Sequence, residues 1–229
     1  PAGVHVFIST RNQSKNPEAI QSFNLAMHVG DDPGQVQQNR RLLLTQLSEQ
    51  TGTDIKSVQW INQVHGTAVF HAKVINVEKA PEADAIYSTA SGIALGILTA
   101  DCLPVLFCSN DGIEIAVAHA GWRGLLNGVL EATLDCFEAE PSAIRTWLGP
   151  AIGPCHFEVG GEVRAAYMDR ANTDEKKATA AAFVAADQSD KWFADVYCLA
   201  RIRLQSRGVV LVGETALCTY CNHKRFYSY

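Results

Sequence analysis

Apolar residues in this chain fall in short runs flanked by Gly, Asp, Asn or Pro, and the spacing within each run predicts its element. Val4–Ser9 predicts a first strand, followed by a polar loop over Thr10–Ala19. Asp31-Asp32-Pro33-Gly34 places an acidic cap and a proline in the first turn of a helix reaching about Gln50. Ser57–Trp60 and Ala68–Val77 alternate, which predicts strands on either side of a turn at His65. Ala94–Leu98, Val105–Cys108 and Glu114–Ala118 are the short apolar runs expected of buried strands. A helix is expected from Gly121–Gly124 to about Glu138, and a strand over Ile144–Leu148 that ends in the turn Gly149-Pro150-Ala151-Ile152-Gly153-Pro154. Glu162–Arg170 predicts a helix. Asn172–Gln188, rich in Ala and charge and weakly patterned, is expected to be a mobile insertion. Trp192–Arg207 has a helical period that turns Leu199, Ile202 and Leu204 inward, and Val209–Gly213 closes the series as a strand. Several short strands in succession among helices predict an α+β sandwich rather than a doubly wound parallel sheet.

Bulk properties narrow the function classes. A chain of 229 residues with 47% apolar content has an ordinary globular composition and can form one large domain. The net charge of −5 and the scattered basic residues argue against a nucleic-acid partner. No apolar stretch approaches the ~20 residues that cross a bilayer, so no membrane partner is expected. Pro1-Ala2-Gly3-Val4 lacks the charged and apolar regions of a signal peptide. Seven cysteines, an odd number spread along a large chain, fit reduced thiols in the cytosol.

Three segments carry candidate chemistry: Gln63-Val64-His65-Gly66, Thr99-Ala100-Asp101-Cys102-Leu103-Pro104 and Ala118-His119-Ala120-Gly121-Trp122-Arg123-Gly124. Each sets one metal-ligating or nucleophilic side chain where an apolar strand meets a turn of small residues. Two imidazoles and one thiolate give zinc three protein ligands and leave its fourth position open, as in catalytic sites. The separations between them are too long for a zinc knuckle and fit ligands drawn from different strand ends. Against this stand the ordinary roles of a buried thiol and a solvated turn histidine. The helix expected after Gly121–Gly124 turns its N-terminal amides toward His119, which favours an anion there. Cys218 and Cys221 form a single CxxC, read as two free thiols near a terminus. Cys155-His156 follows a Gly-Pro turn and is open to either site lining or local packing. The histidines include no His-X-His pair, which counts against a conventional laccase copper site.

QVHG, ADAIYS (Ala83–Ser88), TADCLPVLF, AHAGWRG, LGPAIGPCHFEVG (Leu148–Gly160) and the terminal FYSY together resemble the YfiH/YlmD family, also known as the multicopper polyphenol oxidase family. The resemblance runs from about Phe23-Asn24-Leu25 to Tyr229. It implies one domain over residues 1–229 with a four-layer αββα sandwich, of the kind found in a bacterial toxin's cysteine-hydrolase domain. It implies zinc held by His65, Cys102 and His119, with copper as the alternative metal. It also implies a cytosolic enzyme acting on purine nucleosides and phosphate. That substrate class makes Arg40 and Arg123, with the amides at Gly121–Gly124, candidates for gripping phosphate beside their plain roles as helix-surface and capping residues. It makes Asn24 and Asp101 candidate partners for the ribose or for the metal ligands. Family members are credited with phosphorolysis of adenosine, inosine, guanosine and methylthioadenosine, with adenosine deamination, with phenol oxidation and with editing of peptidoglycan precursors. The chain departs from the family pattern at Arg11, which is followed by Asn12-Gln13-Ser14-Lys15 in place of a glycine-rich stretch.

Three rivals use the same residues. Cys102 can be the nucleophile of a metal-free hydrolase with His119 as its base. Copper can replace zinc in a phenol oxidase. A fourth protein ligand such as Cys155, His71 or His156 can close the metal into a structural site.

Overall fold

The computed structural model describes residues 1–11, 23–73 and 80–229. Most of the loop expected over Thr10–Ala19, the end of the strand expected over Ala68–Val77 and the departure at Asn12–Lys15 lie outside the described residues.

A helix α1 (Pro33–Thr51) starts where the Asp32 side chain accepts from the Gly34 amide and stops at left-handed Gly52. The strands β1 (Val58–Gln59), β2 (Val69–His71), β3 (Ala85–Ser88), β4 (Ala94–Leu95), β5 (Leu103–Ser109) and β6 (Ile115–Ala120) follow. Two short helices, α2 (Trp122–Asn127) and α3 (Val129–Leu134), replace the single helix expected to reach Glu138. Gly128 separates them with a φ of 102°, a conformation that a β-carbon would strain. The chain then runs through β7 (Ile144–Leu148), β8 (Glu158–Gly160), α4 (Gly161–Arg170), α5 (Lys176–Ala181), β9 (Phe183–Ala185), β10 (Lys191–Ala194), α6 (Val196–Ser206) and β11 (Val210–Glu214).

Six strands form the main sheet in the order β11-β7-β5-β6-β3-β2. Its inner pairs are antiparallel, while β2–β3 and β7–β11 are parallel. The sheet is therefore mixed, with helices and strands interleaved along the chain. One face carries Val105, Phe107, Ala116 and Ala118 and packs against Leu125, Leu130, Leu199 and Leu204 of α2, α3 and α6. Ile86 and Val117 point to the opposite face, where Leu95 of β4 packs. The parallel pair β1–β4 and the antiparallel sheet β8-β10-β9 are separate small units. No helix among the described residues is long and apolar enough to cross a membrane.

Three expectations fail for physical reasons. Val4–Ser9 is not a strand: Val6 and Phe7 stand exposed, and among the described residues no sheet edge pairs with them. Asn172–Gln188 is no structureless insertion, because Ala182 and Phe183 are buried in the main core and anchor α5 and β9. Lys191–Ala194 pairs as a strand between β8 and β9, and the helix begins only after Asp195, whose side chain accepts from the Cys198 amide. Leu199, Ile202 and Leu204 do face inward.

Candidate functional site

The antiparallel register of β5 and β6 sets Leu103 opposite Ala120 and Pro104 opposite His119. Cys102, one residue before β5, therefore lies beside the end of β6. The β6–β3 register brings Ala85 opposite Ala118, so Asp84 sits next to His119 at the same end of the sheet. His65 arrives from the β1–β2 connection in a left-handed conformation, with a φ of 59°. The ligand atoms of His65, Cys102 and His119 all lie within 4.8 Å of one another. Their sequence-predicted meeting is thus a property of the fold. His119 is buried, Cys102 half-buried and His65 exposed, so the cluster opens to solvent on the His65 side.

Asp84 organises this cluster, and sequence reasoning missed it. Its side chain is fully buried and takes four donors, the number its lone pairs can accept. Oδ1 accepts from the His65 amide at 2.9 Å and lies 2.9 Å from His119 Nδ1. Oδ2 accepts from the amides of Gly66 at 2.6 Å and Val64 at 3.3 Å. The Asp84 carbonyl also accepts from the His119 amide at 2.7 Å. One carboxylate thereby closes the His65 turn and fixes the His119 ring. The available signal was an acid placed between Ala83 and Ala85 in an apolar run, which must find donors if buried.

The electrostatics follow from this wiring. Burial pushes the Asp84 carboxyl up, but the hydrogen bonds from His119 and from the Gly66 and His65 amides outweigh it and hold it below its ordinary value. Burial pushes His119 down, yet its hydrogen bonds to Asp84 and Cys102 raise it to about 9. Burial and the neighbouring His119 lower His65. With Nδ1 engaged by Asp84, His119 directs Nε2 at the cluster, the arrangement in which an outer carboxylate orients a metal-ligating imidazole.

The donor set fits a metal. Zinc bonds of ~2.3 Å to sulfur and ~2.0 Å to nitrogen separate tetrahedral S and N ligands by about 3.6 Å. Cys102 Sγ and His65 Nε2 stand 3.9 Å apart. A β-carbon on Gly121 would come within 2.9 Å of His65 Cδ2 and 3.0 Å of Cys102 Sγ, so the glycine keeps the cluster's floor clear. A β-carbon on Gly124 would press to 2.9 Å on the Gly66 carbonyl.

The other candidates divide. Arg123 is exposed on α2, stacks over Trp122 and lies near enough to His65 to lower its pKa. Asp101 adjoins Cys102 with a φ of 83° and gathers the C-terminal segment. Its side chain accepts from Thr219 Oγ1 at 2.5 Å, Ser228 Oγ at 2.7 Å and the Tyr229 amide at 2.8 Å. Arg40 gives its Nε to the Leu25 carbonyl and stacks over Trp60. Asn24 hydrogen-bonds Ala26 and Asp31. Neither reaches the triad through these contacts. His71 lies 3.4 Å from Cys136 instead, while Cys155 and His156 gather with Cys218 and Cys221. None of the three proposed closing ligands joins the triad. Cys218 and Cys221 are free thiols, as expected, and make up half of that second cluster.

The profile of a family described as multi-copper polyphenol oxidoreductase laccase matches residues 5–229. The chain is 45% identical over 230 residues to the purine nucleoside phosphorylase YfiH of Escherichia coli, covering all of this chain and 89% of that protein. It is 31% identical over 239 residues to an adenosine deaminase of an unknown prokaryotic organism, covering 99% and 88% of the two. The crystal structure of a Neisseria meningitidis protein of family DUF152 superimposes with a TM-score of 0.87 at 40% identity, over 100% of this chain and 89% of that one.

Freeing Asp84 from its charge tests the wiring. Asp84→Asn is expected to weaken zinc binding by ~10–100-fold, the usual cost of losing an outer orienting group. In the parent protein, His119 must shed a proton that it holds up to about pH 9, so apparent zinc affinity rises with pH through the neutral range toward 9. Without metal the sign reverses. The raised His119 contributes stability that is complete below pH ~6.5 and lost as pH passes about 9. Zinc titrations by calorimetry from pH 6 to 9 would contradict this if the variant bound as tightly as the parent and with the same pH slope.

Proposed function

The chain belongs to the family described as multi-copper polyphenol oxidoreductase laccase, and from that membership we propose a zinc-dependent purine nucleoside phosphorylase, with adenosine deamination as a second activity of the same site. The carrying observation is the convergence of His65, Cys102 and His119 around a cleared floor, with Asp84 fixing two of them. Whole-chain identity to a relative named purine nucleoside phosphorylase supports the substrate class. Adenosine, inosine, guanosine and methylthioadenosine are the nucleosides proposed, with phosphate as co-substrate. Thiolate ligation and use of free phosphate suit the reducing cytosol. The four-layer αββα sandwich stays part of this proposal; α2, α3 and α6 cover one face of the main sheet and Leu95 of β4 packs on the other.

A metal held by the triad would supply Lewis acidity at an open position. The chain's own groups do the rest. Asp84 holds the His119 ring through Nδ1 in one orientation, so Nε2 faces the cluster. The Arg123 guanidinium, close enough to His65 to lower its pKa and exposed on α2, is the proposed grip on two phosphate oxygens. Held below the ribose, that phosphate meets the cationic character that develops at C1′ as the purine leaves. Arg40, which gives its Nε to the Leu25 carbonyl, forms with Asn24 the proposed contact set on the α1 side. Asp101 positions Cys102 by fixing the backbone immediately before it, and it holds the C-terminal segment alongside.

The family description favours one second reading, copper-dependent phenol oxidation. The test separates the two. Metal-analysed protein is incubated with adenosine, with and without phosphate, and the products are separated by chromatography. Adenine and ribose-1-phosphate are expected only with phosphate, and inosine in both tubes. Cys102→Ala, shown to be folded by circular dichroism, is expected to lose more than about 100-fold in turnover, beyond the usual effect of an outer-shell change. Unchanged turnover in that variant, or phenol oxidation by copper-loaded protein with no nucleoside cleavage, would refute the proposal.

A further inference from the structure

A second group of soft donors lies apart from the triad. Cys155, His156, Cys218 and Cys221 come from two segments, and their ligand atoms all lie within 4.8 Å of one another. Sequence spacing gives no hint of this, since the CxxC lies more than sixty residues after Cys155-His156. The fold makes the pairing. Ala151 and Cys218 form a parallel bridge, and the Thr219 amide donates to the Ala151 carbonyl at 3.0 Å. Beneath them the Tyr197 hydroxyl accepts from the Ala151 amide at 2.8 Å and lies 3.0 Å from the Gly149 carbonyl and 3.1 Å from that of Leu217. The two segments are thus fixed in register before any ligand arrives.

The distances match a closed tetrahedral site. Around zinc, two thiolates should stand about 3.8 Å apart, and a thiolate and an imidazole nitrogen about 3.6 Å. Cys155 and Cys221 sulfurs are 3.7 Å apart. His156 Nδ1 lies 3.2 Å from Cys155, 3.4 Å from Cys221 and 3.9 Å from Cys218. The amides of Cys221 and Gly153 point at the Cys218 sulfur, and the His156 ring is braced by stacking on Tyr220 at 4.2 Å. At Gly153 a β-carbon would meet the Cys218 β-carbon at 3.0 Å, so this turn too is kept bare for close approach.

We propose that Cys155, His156, Cys218 and Cys221 form a second, structural zinc site that clasps the C-terminal segment to the Gly149–Phe157 loop. Three thiolates and one imidazole fill all four positions and leave none for substrate. The clasp acts on the triad at one remove. Thr219, within the CxxC, and Ser228 and Tyr229, beyond it, hydrogen-bond the Asp101 side chain. Asp101 is the residue before Cys102. Copper(I) shares the preference for thiolates, so the metal must be identified as well as counted.

The test counts metal in the whole protein purified with reductant. Mass spectrometry under native conditions is expected to find two zinc ions per chain. Cys155→Ser with Cys221→Ser should keep one, and Cys102→Ala should keep the other. If the triad holds no metal, the parent carries one zinc that survives Cys102→Ala and is lost in the double serine variant, so the two proposals fail separately. Should the double variant not fold, cobalt is titrated into metal-stripped parent protein. The expected result is an intense sulfur-to-cobalt band from a three-thiolate site, and hydrogen exchange of residues 218–229 that slows on filling. One ion per chain that disappears with Cys102→Ala would overturn the site. So would copper in place of zinc, a Cys155–Cys221 disulfide in the reduced protein, or a spectrum with a single thiolate.

Discussion

The Asp84 carboxylate is the constraint on which the rest of the site depends. A charge with no exposure is tolerated only if its lone pairs are filled, and here three backbone amides and one imidazole fill them. The same four bonds perform separate structural tasks. Three close the turn that gives His65 its left-handed backbone, which otherwise costs about 1–3 kcal/mol. The fourth decides which nitrogen His119 offers. Loss of one partner would leave a buried charge short of donors, so turn, ring and carboxylate stand or fall together.

The sheet supplies the convergence. Cys102 precedes β5, His119 lies near the end of β6 and Asp84 precedes β3, so antiparallel pairing alone brings three chemistries to one end. Glycine supplies the clearance, because Gly121 and Gly124 lie where a β-carbon would strike the site or the turn beneath it. On the same end of the sheet, the chain after β7 and the chain after β11 meet at the second cysteine cluster. The C-terminal segment then returns to Asp101. The second donor cluster therefore gathers the C-terminal segment to the loop after β7, and the Asp101 carboxylate ties it to the start of β5.

Much of this was legible in the sequence, for reasons that residues make plain. Asp32 and Pro33 mark the start of α1 because capping is a local event. Ile144–Leu148 matches β7 to the residue because its alternation is clean. His65, Cys102 and His119 stood out because each sits where a strand gives way to small residues. Asp84 did not stand out, since a lone acid between alanines carries its meaning only through partners brought by pairing. Lys191–Ala194 reads as either period, and only β8 and β9 on its flanks decide for strand. Ala182 and Phe183 gave their segment a core anchor that a weak pattern hid. Both halves of the second cluster, Cys155-His156 and the CxxC, were visible in the sequence, but only the fold brings them together.

The most direct test of this arrangement is a crystal structure of the zinc-soaked protein, with anomalous diffraction recorded at the zinc edge. The expected result is a peak about 2.0–2.3 Å from His65 Nε2, Cys102 Sγ and His119 Nε2, with Asp84 still bound to His119 Nδ1. A His119 ring turned so that Nδ1 faces the cluster, or no peak among the three side chains, would contradict it.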